Sequence, residues 1–312
     1  MSSAATTRRS VTVRVPAKVN LELKVGPRRP DGYHELATVY MAIGLHDEVT
    51  VVAADEWSVV ASGPYADRVP TDDGNLALKA AHALAGQVGM DEPVSVVIHK
   101  EIPVAGGMAG GSADAAGALL ACDHLWGLGL PRDDLLDTAA TLGSDVPFVL
   151  TGGIAVGSGR GERLAPVLAR GSYHWVLAVS DTGLSTPEVY AECDRLRGRS
   201  RILSPEPSAQ MMTALRSGDV EAVGAALCND LSDAAISLQP GLGDVLVAGL
   251  EYGAVGGIVS GSGPTVAFLT DSAEAALDLC VSLTASGVAS EVRRAKGPVH
   301  GAQVVPGPTA RA

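Results

Sequence analysis

Val11, Val13 and Val15, and then Val19, Leu21, Leu23 and Val25, alternate with other residues at a period of two, the spacing that turns one side of an extended chain toward a core. Pro16 falls between the two runs, so the pattern predicts a strand, an interruption and a second strand. On the second strand Lys18, Asn20, Glu22 and Lys24 share the face opposite the apolar one. Further strands are predicted over 36–43, 47–53 and 94–99, with a helix from Asn75 to Val88. Lys100 to Gly117 reads as a strand end, a glycine loop and an alanine-rich helix. Ala113, Ala116, Gly117 and Leu120 recur there at helical spacing, giving a small-residue face that can lie close to a sheet. A second helix over 133–142 stops at Gly143, and Pro147 is expected to forbid its continuation.

Gly152 to Gly161 predicts a glycine-rich hairpin, and Pro166 to Gly171 a boundary near residue 170 that divides the chain into 1–170 and 171–312. Beyond it, strands are predicted over 176–179, 256–260, 265–269 and 289–293. Helices are predicted over 186–196, 207–215, 218–227, 241–252 and 273–286, the first opened by Ser185 and Glu188 at capping-box spacing. Val259 to Thr265 forms a second glycine turn that carries hydroxyls. The tail after Lys296, rich in Gly, Pro and Ala, is expected to be loosely ordered.

Composition narrows the possible roles. The 312 residues suffice for two domains, and with 46% hydrophobic but only 4% aromatic residues the core must be built from Val, Leu, Ile and Ala. A formal charge of −12 without a lysine-arginine run argues against a nucleic-acid partner or an anionic membrane surface, so an anionic ligand must be met by local charge. Cys122, Cys193, Cys228 and Cys280 are scattered, which fits buried free thiols rather than a zinc site or a disulfide framework. No apolar run is long enough to span a bilayer, and a soluble cytoplasmic protein is expected.

Gly106, Gly107, Gly110 and Gly111 permit backbone conformations closed to other residues, and Ser112 to Ala116 open a helix whose free N–H groups favour an anion. The segment reads as a phosphate cradle, although it has neither the Gly-Lys-Ser/Thr ending of a P-loop nor a G-x-G-x-x-G fingerprint. Phosphoryl transfer also requires charge neutralisation and a group that orients the attacking hydroxyl or accepts its proton. Lys18 and Asp145 supply a cation and a carboxylate, and Ser112 a hydroxyl for a magnesium ion or a phosphate oxygen. Taken singly, each residue has a plainer reading: Lys18 as a solvated strand lysine, Asp145 as a turn residue, Ser112 as an N-cap, His34 as a surface imidazole. Asp114, in the first helical turn, is favourable there without any ligand.

Pro16-Ala-Lys-Val-Asn-Leu21, the Pro103 to Ala113 loop, Gly143-Ser-Asp-Val-Pro-Phe148 and Ser260-Gly-Ser-Gly-Pro-Thr265 follow one another as in the galactokinase, homoserine kinase, mevalonate kinase and phosphomevalonate kinase superfamily. The chain resembles that superfamily from about Val11 to Arg293, and its Asp31-Gly-Tyr-His34 segment resembles the 4-diphosphocytidyl-2-C-methyl-D-erythritol kinases within it. The resemblance implies an α+β fold of two domains, the N-terminal one like domain 2 of ribosomal protein S5 and the C-terminal one ferredoxin-like, with the site in the cleft between them. It implies ATP, Mg2+ and a small-molecule acceptor carrying a cytidine diphosphate.

Lys18 and Asp145 match the family's catalytic pair. Lys100 and the loop residues Pro103, Val104, Ala105, Gly106, Gly107, Met108, Ala109, Gly110, Gly111, Ser112 and Ala113 match its ATP-binding segment. On the substrate side fall Asn20, Tyr33, His34, Thr186, Tyr190, Gly261, Ser262 and Gly263, Tyr33 offering a flat face to a cytosine and Tyr190 a second one. Ala109 stands where the family usually has glycine, so a β-carbon must be tolerated there, and Ala113 replaces a second serine. Two other roles fit the same motifs: a homoserine- or mevalonate-type kinase, which the Asp31 to His34 segment disfavours, and a catalytically silent nucleotide-binding protein, which retention of both Lys18 and Asp145 disfavours.

Overall fold

In the computed structural model, which describes residues 8–306 apart from 199 and 201, the first two alternating runs are a single strand. β1 (Ser10–Arg28) passes through Pro16 and pairs antiparallel with β2 (His34–Ala53). The expected interruption is a register shift: pairing steps from Pro16 opposite His46 to Ala17 opposite Ile43, and the ladder resumes beyond it. A proline lacks the N–H that a regular ladder needs, and an irregularity is where a sheet tolerates it. The separate strands expected over 36–43 and 47–53 are likewise the two halves of β2 on either side of that shift.

β3 (Ser58–Ser62), too short to show a period, precedes α1 (Leu76–Val88), whose cap is Asn75: its side-chain oxygen accepts the N–H groups of Ala77 and Leu78 at 2.8 and 3.2 Å. β4 (Val94–His99) leads through the glycine loop into α2 (Gly110–Trp126), followed by α3 (Arg132–Leu142). Pro147, expected to block any further helix, instead lies in the first turn of α4 (Val146–Thr151), where a missing N–H costs nothing. β5 (Ile154–Ser158) and β6 (Arg163–Pro166) form a hairpin whose second strand lies beyond the expected Gly152 to Gly161 range.

Next come β7 (Tyr173–Val179), α5 (Thr186–Arg197), α6 (Ala209–Ser217), α7 (Val220–Ala226), β8 (Cys228–Asn229) and α8 (Ser232–Leu238). The chain continues with α9 (Gly241–Glu251), β9 (Gly256–Val259), β10 (Val266–Thr270), α10 (Ala273–Ser286), β11 (Glu291–Gly297) and β12 (Gln303–Val304). Two sheets result. The first runs β12-β1-β2-β4-β3, with β5 also on β2, β6 on β5 and β8 on β1; the second is an antiparallel sheet in the order β11-β7-β10-β9. This is a two-domain α+β fold in which β8 and β12, from beyond residue 170, complete the first sheet.

The described part of the tail after Lys296, residues 297–306, is tied down, contrary to expectation, and the rest of that tail lies outside the described residues. Val299 donates its N–H to the Ala42 carbonyl oxygen at 3.1 Å and Val305 to that of Thr12 at 2.8 Å, so backbone bonding holds a segment whose composition suggested looseness. Packing of α2 explains its run of small residues: a Cβ on Gly117 would lie 2.8 Å from Val49 Cγ2 and 2.9 Å from Val15 Cγ2. The helix therefore sits against β1 and β2 at a distance only glycine allows, and it carries the glycine loop at its N-terminal end.

Candidate active site

The loop before α2 is shaped by contact with the second glycine turn. Gly107 has φ +73°, and a Cβ there would fall 2.0 Å from the Ser260 carbonyl oxygen, so both its conformation and its surroundings demand glycine. Ser260 Oγ donates to the Gly107 carbonyl oxygen at 3.2 Å. Asn229, on β8, holds the turn from behind by donating to the carbonyl oxygens of Val259 and Gly261 at 2.7 and 2.8 Å. Ala105 and Ala109 adopt positive φ values of 55° and 62°, so the β-carbon at 109 is tolerated in the left-handed region itself.

Lys18 reaches this junction from β1. Its Nζ donates to Asn20 Oδ1 at 2.6 Å and to the Gly107 carbonyl oxygen at 2.8 Å, and lies 3.6 Å from Asp145 Oδ2. Asn20 is itself fixed, donating to Thr38 Oγ1 at 2.7 Å, and Thr38 donates to the Glu22 carbonyl oxygen at 2.8 Å. Asp145 sits just before α4, and its other oxygen accepts the Tyr40 hydroxyl at 3.0 Å. Burial and then the Asp145 charge push the Tyr40 phenol well above its ordinary pKa, so it remains a donor. The Lys18 side chain is 4% exposed and that of Asp145 26%, which leaves the carboxylate open to the cleft.

The face of β1 that carries Lys18, Asn20 and Glu22 is thus buried rather than solvated, because the glycine loop and the second domain cover it. Asn20, with its oxygen on Lys18 and its amide on Thr38, orients the lysine. His34 lies further along the same cleft. Its Nε2 is 2.9 Å from Asp194 Oδ1 on α5, and its ring stacks on Tyr190, with centroids 5.1 Å apart. The Asp194 carboxylate and the Tyr190 ring together fix the orientation of the imidazole. Tyr33 is 56% exposed, and Thr186 and Ser262 share a hydrogen bond of 2.8 Å.

These groups line one cleft of about 910 Å3. Of the residues expected there, Lys18, Asn20, Tyr33, His34, Ala105, Gly106, Gly107, Ala109, Gly110, Gly111, Ser112, Asp145, Thr186, Tyr190, Gly261 and Ser262 are brought together. Pro103, Val104, Met108, Ala113 and Gly263 are not among the lining residues. Lys100 is placed differently from the expectation of a nucleotide contact: it is 1% exposed beneath the loop, and its three N–H bonds go to Asp47 Oδ2 (2.6 Å), Asp114 Oδ2 (2.7 Å) and the Gly110 carbonyl oxygen (2.8 Å). Tyr40, Thr38 and Asp194 escaped sequence reading because each is a single polar residue inside an ordinary strand or helix pattern, and Asn229 because its two-residue strand carries no pattern. Asp194 alone carried a signal, lying four residues after Tyr190 on one helix face.

Among the described residues no cluster of three His, Cys, Asp or Glu side chains could hold a metal. Magnesium at phosphoryl-transfer sites takes much of its shell from phosphates and water, so Ser112 in the first turn of α2, facing the cleft that Asp145 also faces, fits it as a protein ligand. No helix among the described residues is long and apolar enough to cross a membrane.

Comparison with known proteins agrees with this geometry. Residues 75–153 match the GHMP kinases N terminal domain, and residues 211–288 match the GHMP kinases C terminal model. The chain is 58% identical over 306 residues to a 4-diphosphocytidyl-2-C-methyl-D-erythritol kinase of Mycolicibacterium smegmatis, covering 96% of this chain and 94% of that protein. It is 55% identical over 296 residues to the kinase of the same name from Streptomyces avermitilis, covering 95% and 100%. A crystal structure of 4-(cytidine 5'-diphospho)-2C-methyl-D-erythritol kinase superposes with a TM-score of 0.72 at 32% identity, over 91% of this chain and 98% of that one. A homoserine kinase from Cytophaga hutchinsonii, at 19% identity and a TM-score of 0.75 over 98% of this chain and all of that one, shares the fold. With both family models matched and such relatives along nearly its whole length, the chain belongs to the GHMP kinases, among the 4-diphosphocytidyl-2-C-methyl-D-erythritol kinases.

Proposed function

We propose that the protein transfers the γ-phosphoryl group of ATP to the 2-hydroxyl of 4-diphosphocytidyl-2-C-methyl-D-erythritol, a step of the non-mevalonate route to isoprenoid precursors, in the cytoplasm. The observation that carries this reading is the convergence of Lys18 and Asp145, 127 positions apart in the chain, to 3.6 Å beside the glycine loop. Residues 1–170 supply the nucleotide and catalytic groups, and 171–312 the opposite wall of the cleft.

The free N–H groups of the loop and of the start of α2 bind the phosphates of ATP. Asp145, aimed by Tyr40 and Lys18, orients the acceptor hydroxyl and takes its proton as the phosphoryl group moves in line. Lys18, itself held by Asn20 and the Gly107 carbonyl oxygen, offsets the charge that develops between donor and acceptor. Ser112, in the first turn of α2, would help hold magnesium, which would supply further charge neutralisation when bound. Tyr33 stacks on the cytosine while His34, its ring fixed by Asp194 and Tyr190, meets the base edge. Release of ADP from ATP and magnesium should depend on the cytidine diphosphate polyol and not on homoserine or mevalonate. Equal turnover with those alcohols, or ATP binding without acceptor-dependent ADP release, would overturn the reading.

A further inference from the structure

The cleft holds more positive charge than transfer at Lys18 uses. Arg28, the last residue of β1, and Arg160, in the turn between β5 and β6, both line it. Among the described residues neither guanidinium is paired with a carboxylate, although the chain has 35 Asp and Glu against 23 Lys and Arg. Arg28 gives its Nε–H to the Gly32 carbonyl oxygen at 3.2 Å, and Arg160 lies over Tyr33 with Cζ 4.9 Å from the ring centroid. The two carboxylates that line the same cleft are engaged elsewhere, Asp145 with Lys18 and Tyr40, and Asp194 with His34.

Both arginines are held in place by the fold. Arg28 stands opposite His34 in the β1–β2 register, on one flank of the Tyr33-His34 segment. The Arg160 backbone N–H donates to Glu162 Oε2 at 2.6 Å, and the neighbouring Gly159 carbonyl oxygen accepts the Leu36 N–H at 2.8 Å, so the turn is fastened to β2. A Cβ on Gly161 would lie 2.4 Å from the Tyr40 hydroxyl, which sets the same turn against the residue that aims Asp145. Arg160 therefore lies between the catalytic pair and the base-binding side. A planar guanidinium presents paired N–H groups that match phosphate oxygens, and its stacking on an aromatic ring fixes its orientation beforehand.

We infer that Arg28 and Arg160 clasp the diphosphate that joins the substrate's cytidine to its polyol. The inference rests on the substrate reading given above. The substrate brings a diphosphate into a protein of net charge −12, and these are the two cations of the cleft that remain without a counter-charge.

Calorimetric titration of cytidine 5'-diphosphate and of cytidine into the full-length protein and into Arg28→Met, Arg160→Met, the double variant and Arg160→Lys tests the clasp. A nonhydrolysable ATP analogue reports that each variant is folded. The wild type should bind the diphosphate more tightly than the nucleoside. Each Met substitution should weaken diphosphate binding about tenfold, the size of one charge-assisted hydrogen bond, and the double variant should lose the preference for it. Cytidine and the ATP analogue should keep their affinities within about twofold. Arg160→Lys should fall between, since an ammonium keeps the charge without the fork. Unchanged diphosphate binding in the double variant, or an equal loss for cytidine, would overturn the clasp. A wild type that binds the two ligands equally overturns the clasp while leaving the substrate reading in place, and one that binds neither overturns both.

Discussion

Two lysine-carboxylate groups grip the glycine loop from different sides. In the cleft, Lys18 bonds the Gly107 carbonyl oxygen at 2.8 Å and faces Asp145 across 3.6 Å; below the loop, Lys100 bonds the Gly110 carbonyl oxygen at 2.8 Å and is clamped by Asp47 and Asp114 at 2.6 and 2.7 Å. The residue types are the same, and each lysine bonds a glycine carbonyl oxygen of this segment. What differs is closure. The lower group is sealed, with side chains 0 to 5% exposed, and Asp47 Oδ1 also accepts the N–H groups of Glu101 and Ile102 at 2.7 and 2.9 Å. The upper one keeps a loose contact and a carboxylate open to the cleft. A sealed network can position a loop but cannot exchange partners during a reaction, whereas an open pair can.

Substitution should separate the two most sharply at the lysines. Lys100→Met leaves two buried carboxylates facing each other without a cation, and the loss expected for breaking a buried pair is about 3–5 kcal/mol of unfolding free energy. Lys18→Met should cost only a small part of that, because Asp145 can be solvated from the cleft, while turnover collapses. Urea unfolding of both variants beside their ADP-release rates gives the comparison. Equal stability losses would mean that the lower network is no more structural than the upper one.

Asp145→Asn is the matching change on the carboxylate side. It keeps the Tyr40 contact and the shape but removes the proton acceptor, so turnover should fall by about 10²-fold or more, with nucleotide binding and melting temperature nearly unchanged. If Asp145 were only a helix-start residue, single-turnover rates would stay at the wild-type value.

The difference between the two groups also marks how far the sequence could be read. The loop was legible because backbone geometry itself demands glycine at 107, and Lys18 and Asp145 were legible because each stands in a motif of fixed order. The sealed network was not. Asp47 reaches Lys100 from β2, 53 residues earlier, and no hydrophobic period encodes such a meeting; the family match assigns Lys100 to the nucleotide, whereas its side chain is buried beneath the loop. Proline departs from expectation twice for one reason: at Pro16 and Pro147 the missing N–H predicts a break, yet a register shift and a first helical turn accommodate it. β8 and β12, two residues each, are too short to carry any pattern, and tertiary pairing alone creates them.

The pH response sharpens the comparison, since the sealed network has a titrating member. Burial raises Asp114 from 3.8 to about 7 against the opposing pull of Lys100, with the Asp47 charge adding to the rise, and among the described residues its Oδ1 has no hydrogen-bond partner. The folded chain therefore retains a proton that the unfolded chain has released. The stabilisation from this group is complete below about 4 and is lost as pH rises through about 7. Asp114→Asn removes the titration while keeping the shape. The melting temperature of the variant relative to wild type should accordingly climb by a few degrees between pH 5.5 and 8, and a flat difference over that interval would count against a neutral Asp114 in the fold.

The smallest expected effect lies in the loop between the two groups. Ala109 holds φ 62°, a conformation that costs an L-residue roughly 1–2 kcal/mol and glycine almost nothing. Glycine has more freedom to lose on folding, about 0.5–1 kcal/mol relative to alanine, so Ala109→Gly should stabilise by about 0–1.5 kcal/mol. In a chain of this size that amounts to a rise of at most about 2 °C in melting temperature. Nucleotide binding offers a second readout with its own sign. If the strained alanine keeps the Gly107 to Gly111 amides in one arrangement, the relaxed variant should bind the ATP analogue more weakly even as it melts higher. Opposite movements of those two quantities would show that the loop between the open pair and the sealed network is held rigid at a cost in stability.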